Sequence, residues 1–393
     1  MIKLPYNIHI VDIINWSIRC TGSRLNTTSS NIRHLTNVAT ISFVTTSILQ
    51  VIAFYFAKEN IEKLFECFSV LSFCGMGLLK LMSLRWKSHK WQHLLNQVQK
   101  LESAQIDAGN IDFVHFIQSY TIKYQTMSTM LSRMYVFTGI IYILSPIIEF
   151  AYLKLNGDDP VYPHILPVWA PLDISTFGYL ATVAVEIISA IYCVCVHVAF
   201  DLSSVSLMIF ICGQFSLIRH YSENIGGNCK NLCISDENDE RARCYIRYCH
   251  QTQNTLINLI RELEKLLKDI LGIYFFLATL TLCSVAVRLN METLSVTQLI
   301  SLLQYLCATI TQLFIFCLYG DAVQHKSSIG MGEGPYGAAY WCLSPKVRRE
   351  LTLLAVGMSR PRQLRAGPFH VLNLPSFVQI LRTAYSYYAV IRK

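Results

Sequence analysis

Charge is scarce in this chain. Only 15 % of its 393 residues are Asp, Glu, Lys or Arg, against about 25 % in an ordinary soluble domain. That shortage argues against a water-soluble protein of two or three domains and for one embedded in a membrane. Signatures of enzymatic chemistry are lacking as well. No GxGxxG, Walker A, HExxH or GxSxG element stands where its chemistry would need it. Internal repeats, the usual mark of secondary transporters, are not visible. The stretch Met1-Ile-Lys-Leu-Pro-Tyr6 has no apolar run ending at a small-residue cleavage site. No cleaved signal peptide is therefore expected, and the first spanning helix directs insertion. The DRY and NPxxY motifs of G-protein-coupled receptors are missing too.

Apolar residues make up 53 % of the chain and recur in runs spread along it. A spanning helix needs about 20 such residues. The runs predict an all-α, polytopic membrane protein with seven transmembrane helices in one domain, at about 34–56, 64–84, 134–153, 172–198, 270–289, 298–319 and 375–391. Helical spacing beyond the spans predicts cytosolic extensions at about 199–218, 244–269 and 336–358, and a further amphipathic helix through Trp91, Leu94, Leu95, Val98 and Leu101. Residues 1–33 read as a polar arm, and 219–243, with Ser235-Asp-Glu-Asn-Asp-Glu240, as a disordered loop. Pro160, Pro163, Pro167 and Pro171 predict a stiff, extended lid between the third and fourth spans. Lys80 is placed near an interface, where it can snorkel to water.

Lys and Arg favour the cytoplasmic side of a membrane. Twenty-five of them fall in the N-terminal arm and in segments 85–133, 219–268 and 326–365, whereas the alternate loops hold only Lys58, Lys63, Lys154 and Arg288. The bias predicts an intracellular N-terminus and, after seven crossings, an extracellular C-terminus. The net charge of +8 then follows from topology, so no nucleic-acid partner is implied. The sequons at Asn15 and Asn26 would lie in the cytosolic arm, unglycosylated.

The last span carries polar residues with nothing after it in the chain to shield them. Gln379, Thr383, Ser386 and Val390 share one helical stripe, which suits a pore built from several copies. A helix using these groups as interhelical glue is the alternative. The outer halves of the second, third, fourth and sixth spans offer Phe68, Ser72, Phe73, Met76, Tyr142, Pro146, Phe150, Phe177, Leu180 and Tyr305. An aromatic pocket of this kind suits small apolar ligands held by burial and shape, with ordinary bundle core or lipid-facing surface as the alternative. Glu149, Glu186 and Asp201 interrupt apolar runs. The first and last are placed near the interfaces and only Glu186 deep, where a structural hydrogen bond competes with an ion path. Cys229, Cys233, Cys244, Cys249 and His250 cluster without a closed zinc-binding spacing, and they read as reduced thiols. No metal or cofactor is implied.

The last eighty or so residues resemble insect odorant receptors. The resemblance is carried by Gln312-Leu-Phe-Ile-Phe-Cys-Leu-Tyr-Gly-Asp321, Ser328, Tyr340-Trp341, Arg360-Pro-Arg-Gln-Leu-Arg-Ala-Gly367 and Phe377 with Ala384-Tyr-Ser-Tyr-Tyr388. It is diffuse over the first 300 residues, although the inverted seven-span order fits throughout. It implies an odorant-gated, non-selective cation channel in the plasma membrane of a sensory-neuron dendrite, assembled with a co-receptor subunit as a heterotetramer. It further implies a small volatile organic ligand, a pore lined by the last span with Val390 at the gate, and subunit anchoring through the intracellular helix ends. The co-receptor's long insert between spans four and five is absent, which implies a ligand-tuning subunit. Gustatory receptors share the fold, but the TYhhhhhQF-type signature of their last span is lacking here. A metabotropic receptor would need the opposite orientation. Epitope tags decide this: a C-terminal tag should be labelled on intact cells and an N-terminal tag only after permeabilisation, and the reverse pattern would overturn the charge argument.

Overall fold

The computed structural model describes residues 10–22, 30–107, 111–156, 162–171, 175–227, 234–290 and 296–391. Eleven α-helices and one short hairpin are found among them. They are α1 (Ile10–Cys20), α2 (Ser30–Phe56), α3 (Ile61–Trp86), α4 (Ser88–Asp107), α5 (Ile111–Leu155), α6 (Thr176–Glu223), α7 (Asp236–Leu289), α8 (Val296–His325), α9 (Met331–Gly337), α10 (Pro345–Met358) and α11 (Leu374–Ile391). Six of them, α2, α3 and α5–α8, contain segments long and apolar enough to cross a bilayer. The shorter, 18-residue α11 carries Gln379 and Arg382 within its apolar run and completes the set.

The axis of the molecule is α6. Ser175 caps its start by accepting the Gly178 N–H at 3.1 Å. From Ala199 to Ile211 every residue of this helix is buried. A helix shielded on all sides belongs inside a bundle, and α1, α2, α3, α5, α7, α8 and α9 all pack against it. The cytosolic extension assigned to residues 199–218 is thus the centre of a second, lower core.

Three sequence expectations are corrected here. The N-terminal segment is not merely a polar arm: α1 buries Val11, Ile14 and Ile18 in the lower core. Its end is tied down where the Thr21 carbonyl accepts from Tyr192 Oη at 2.9 Å and Arg85 Nη2 at 3.1 Å. The acidic run at 235–240 does not form a loop. It starts α7, with Ser235 accepting the Asn238 N–H at 3.2 Å and Asp236, Glu237 and Asp239 in the first turn. Carboxylates complement the positive end of a helix dipole, so a composition that reads as disorder instead favours a helix start. The 336–358 segment is not one helix. Pro345 opens α10 and holds Ser344 extended at ψ 157, because a proline disfavours helical backbone in the residue before it.

A tight hairpin then delivers the chain to α11. Strands β1 (Arg365–Ala366) and β2 (His370–Val371) pair antiparallel, Arg365 opposite Val371 and Ala366 opposite His370. Gly367 has φ +67 and donates its N–H to the Lys268 carbonyl at 2.7 Å. A Cβ on Gly272 of α7 would lie 2.6 Å from Gly367 Cα, so both positions need glycine for the hairpin to seat. Next, α11 packs on α7 and α8 through Ile380 and Ala384, with Phe377 against Phe314 at 5.5 Å between ring centres.

Candidate ligand cavity and the charge network beneath it

A cavity of about 300 Å³ opens between α3, α5, α6 and α8. Its middle is apolar and aromatic, with Val70, Phe73, Pro146, Leu302 and Tyr305 on the walls. Its outer rim carries Glu66, Glu149, Arg288 and Gln298. There Arg288 Nη2 stands 4.0 Å from Glu66, and Gln298 Nε2 donates to Glu149 at 3.2 Å.

The roof is the irregular segment around His164, Ile165 and Leu166, all of which line the cavity. Glu186, only 1 % exposed, holds it down from α6. One carboxylate oxygen accepts the N–H groups of Ile165 and Leu166 at 2.8 and 3.2 Å. The other meets His164 Nδ1 at 2.9 Å. Bonded in this way to three residues of the roof, this deep carboxylate acts as a structural clamp. Tyr179 adds a second tie, donating to the Pro163 carbonyl at 2.8 Å.

The floor is a network of ionisable groups that the sequence reading missed. Lys80 does not snorkel to an interface: it is fully buried and donates to Asp201 Oδ1 at 2.6 Å. Asp201 in turn is only 1 % exposed and does not sit at an interface. Its Oδ2 accepts from Gln312 Nε2 at 2.8 Å and, closer still, from the Tyr135 hydroxyl. Lys80 Nζ also reaches His197 Nδ1 at 3.0 Å and lies within 6 Å of the Phe200 and Tyr274 ring centres. An ammonium can only donate, so Nδ1 of His197 accepts and its Nε2–H faces the Phe73 carbonyl at 3.1 Å. The His197 ring stacks on Phe73 at 4.2 Å. Tyr135, Gln312 and Phe73 therefore belong to the cavity wall and to the network at once. The sequence signal was present as opposite charges in two apolar runs, Lys80 and Asp201, which must pair if neither reaches water.

Of the ten pocket candidates, Phe73, Tyr142, Pro146 and Tyr305 line this cavity. Phe68 lies against Phe54, Ser72 is buried off the wall, and Met76 sits in the core. Phe150 stacks on Tyr162 of the roof segment at 5.7 Å. Phe177 and Leu180, 83 % and 61 % exposed, project from the outer turns of α6 away from the cavity. Hydropathy sets the depth of such residues but not the rotation of their helix. On α11, Gln379, Ser386 and Val390 are exposed, while Thr383, three residues from the buried Ile380, is half-buried. Of the cysteine cluster, Cys229 and Cys233 lie outside the described residues. Cys244 is exposed and Cys249 buried, where burial pushes its thiol up to about 12. Among the described residues no three His, Cys, Asp or Glu side chains are grouped as metal ligands.

Long apolar helices around a roofed cavity over a buried ion network define a multi-pass membrane protein. Residues 60–385 match the model of the 7tm Odorant receptor family, and the chain belongs to that family. It is a receptor and not an enzyme. It is similar to Odorant receptor 82a of Drosophila melanogaster, 22 % identical over 389 residues that cover 96 % of this chain and 97 % of that one. Odorant receptor 22c of the same species is 26 % identical over 188 residues, 47 % of this chain and 46 % of that one. Among solved structures it resembles the insect olfactory receptor OR5 from Machilis hrabei in complex with eugenol, with a TM-score of 0.79 at 16 % identity over 97 % of this chain and 96 % of that one. At that identity the likeness establishes the fold.

Removing one partner of a buried ion pair strands the other charge and costs about 3–5 kcal/mol. Lys80→Met and Asp201→Asn should each lower the unfolding temperature of the detergent-solubilised receptor sharply, and the double variant should lose much less than the sum. Additive losses would show that the two groups are not coupled.

Proposed function

We propose that this chain is the ligand-tuning subunit of an odorant-gated, non-selective cation channel, working with a co-receptor in a heterotetramer. The observation that carries the reading is the roofed, aromatic cavity between α3, α5, α6 and α8 in a member of the odorant receptor family. Small volatile organic ligands suit it, because binding there draws on apolar burial and shape. The pore belongs to α11, whose polar stripe of Gln379, Thr383 and Ser386 includes two exposed side chains, Gln379 and Ser386. Val390, 72 % exposed at the far end of that stripe, provides the gate: a ring of apolar side chains blocks ions by dewetting. Helix α8 connects the two places, since it bears Tyr305 and Gln312 at the cavity and Phe314 against Phe377 of α11. The membrane is the plasma membrane of a sensory-neuron dendrite, with the N-terminus inside and the C-terminus outside.

Expression with the co-receptor, followed by current recording against a chemically broad volatile panel, tests the reading. Tyr305→Ala should reorder odorant preference while sparing currents from a direct co-receptor agonist, since one buried ring contributes about 1–3 kcal/mol. An unchanged response profile would move the pocket elsewhere.

Gating is tested at the other end of the molecule. Val390→Ser should wet the constriction and raise ligand-free current, with Tyr387→Ser as the off-stripe comparison. Equal basal currents at matched surface expression would remove Val390 from the gate.

A further inference from the structure

We propose that the cavity selects neutral volatiles bearing one hydrogen-bonding oxygen on an apolar body, and that the α5 hydroxyls of Tyr142 and Ser145 read that oxygen. The inference rests on the odorant-gated reading above and adds the chemical class of its ligand.

Most hydroxyls on the cavity wall are already engaged. Ser69, Thr138, Ser301 and Thr309 each donate to a carbonyl of their own helix, at 2.8–3.0 Å. Tyr305 donates to the Ser69 carbonyl at 3.3 Å, and Tyr135 is held by Asp201. Tyr142 and Ser145 line the same cavity and have no hydrogen-bond partner among the described residues. They stand three residues apart on α5 and so share a face of that helix. Both residues are half-buried, so an apolar ligand that covers them takes their hydroxyls out of water unpaired, a cost that a ligand oxygen avoids. Each hydroxyl can donate or accept, so alcohols, phenols and ketones all qualify, whereas a hydrocarbon of equal size leaves both groups unpaired.

The rim restricts charge. Two carboxylates, Glu66 and Glu149, line the cavity together with one guanidinium, that of Arg288, which already faces Glu66. A carboxylate ligand would add a third negative group there. An ammonium would have to shed its water against Phe73, Pro146 and Tyr305 to reach the middle of the cavity. Neutral oxygenated compounds meet neither obstacle.

The test uses the full chain with its co-receptor and probes of matched heavy-atom count. They are 1-octanol against n-nonane, 2-phenylethanol and acetophenone against propylbenzene, and benzoic acid and 2-phenylethylamine as charged members. In wild type the neutral oxygenated probes should activate at about tenfold lower concentration than their hydrocarbon partners. Tyr142→Phe with Ser145→Ala should close most of that gap by weakening the oxygenated probes alone, with co-receptor agonist currents unchanged. Equal potency within the pairs, a gap that survives both substitutions, or preference for the acid or the amine would overturn the proposal and leave odorant gating standing. Silence to every probe, with intact co-receptor currents, would instead count against odorant gating itself and the ligand class with it.

Discussion

The ion pair between Lys80 and Asp201 is the constraint on which the arrangement of this bundle depends. Both groups are buried to within 1 %, and an unpaired charge in such a place is expensive. The pair is satisfied only when α3 brings Lys80, α6 brings Asp201 and His197, α5 brings Tyr135 and α8 brings Gln312 to one point. Apolar faces alone tolerate helices that slide or rotate against one another. A carboxylate accepting from three different helices does not. The network therefore sets the rotation of the four helices that also wall the cavity.

Above that point the requirements change. The cavity needs walls that hold shape without filling the space, and aromatic side chains on rigid helices provide them. Its roof is backbone without regular structure, whose N–H groups need acceptors when buried. Glu186 supplies two of them from a single buried oxygen. Roof and floor are thus both anchored on α6, fifteen residues apart at Glu186 and Asp201. Below the network, α6 becomes the buried axis of the lower core, so the same helix joins cavity, ion network and lower core.

The part of the chain in which the family resemblance was legible is the part under the tightest backbone restraint. Gly367 sits at positive φ with Gly272 pressed against it, and the Leu372 backbone leaves no room for a Cβ on Gly320. These contacts seat the hairpin that leads into α11. Cavity residues obey no such rule, because a wall of dispersion contacts can be built from many side chains. That is why Phe73, Tyr142, Pro146 and Tyr305 could be selected only together with Phe177 and Leu180, which face outward.

By itself the sequence determined what depends on local composition: an all-helical membrane chain with long apolar helices, the amphipathic α4 and the presence of polar groups in the apolar run of α11. Hydrophobic periodicity carries this information within a window of a few turns. The resemblance to odorant receptors was legible as well, in short motifs of the last eighty or so residues. What only the tertiary structure decided depends on partners distant in the chain. Lys80 looked like a residue bound for the interface because Asp201 lies 121 positions away. The acidic run that opens α7 looked like disorder because the worth of a cap and a dipole appears only once the helix exists. The hydroxyls of Tyr142 and Ser145 became informative only after every other hydroxyl on the wall had found its partner. Periodicity reports which face of a helix is apolar, whereas pairing across helices is a property of their rotation and depth in the assembled bundle.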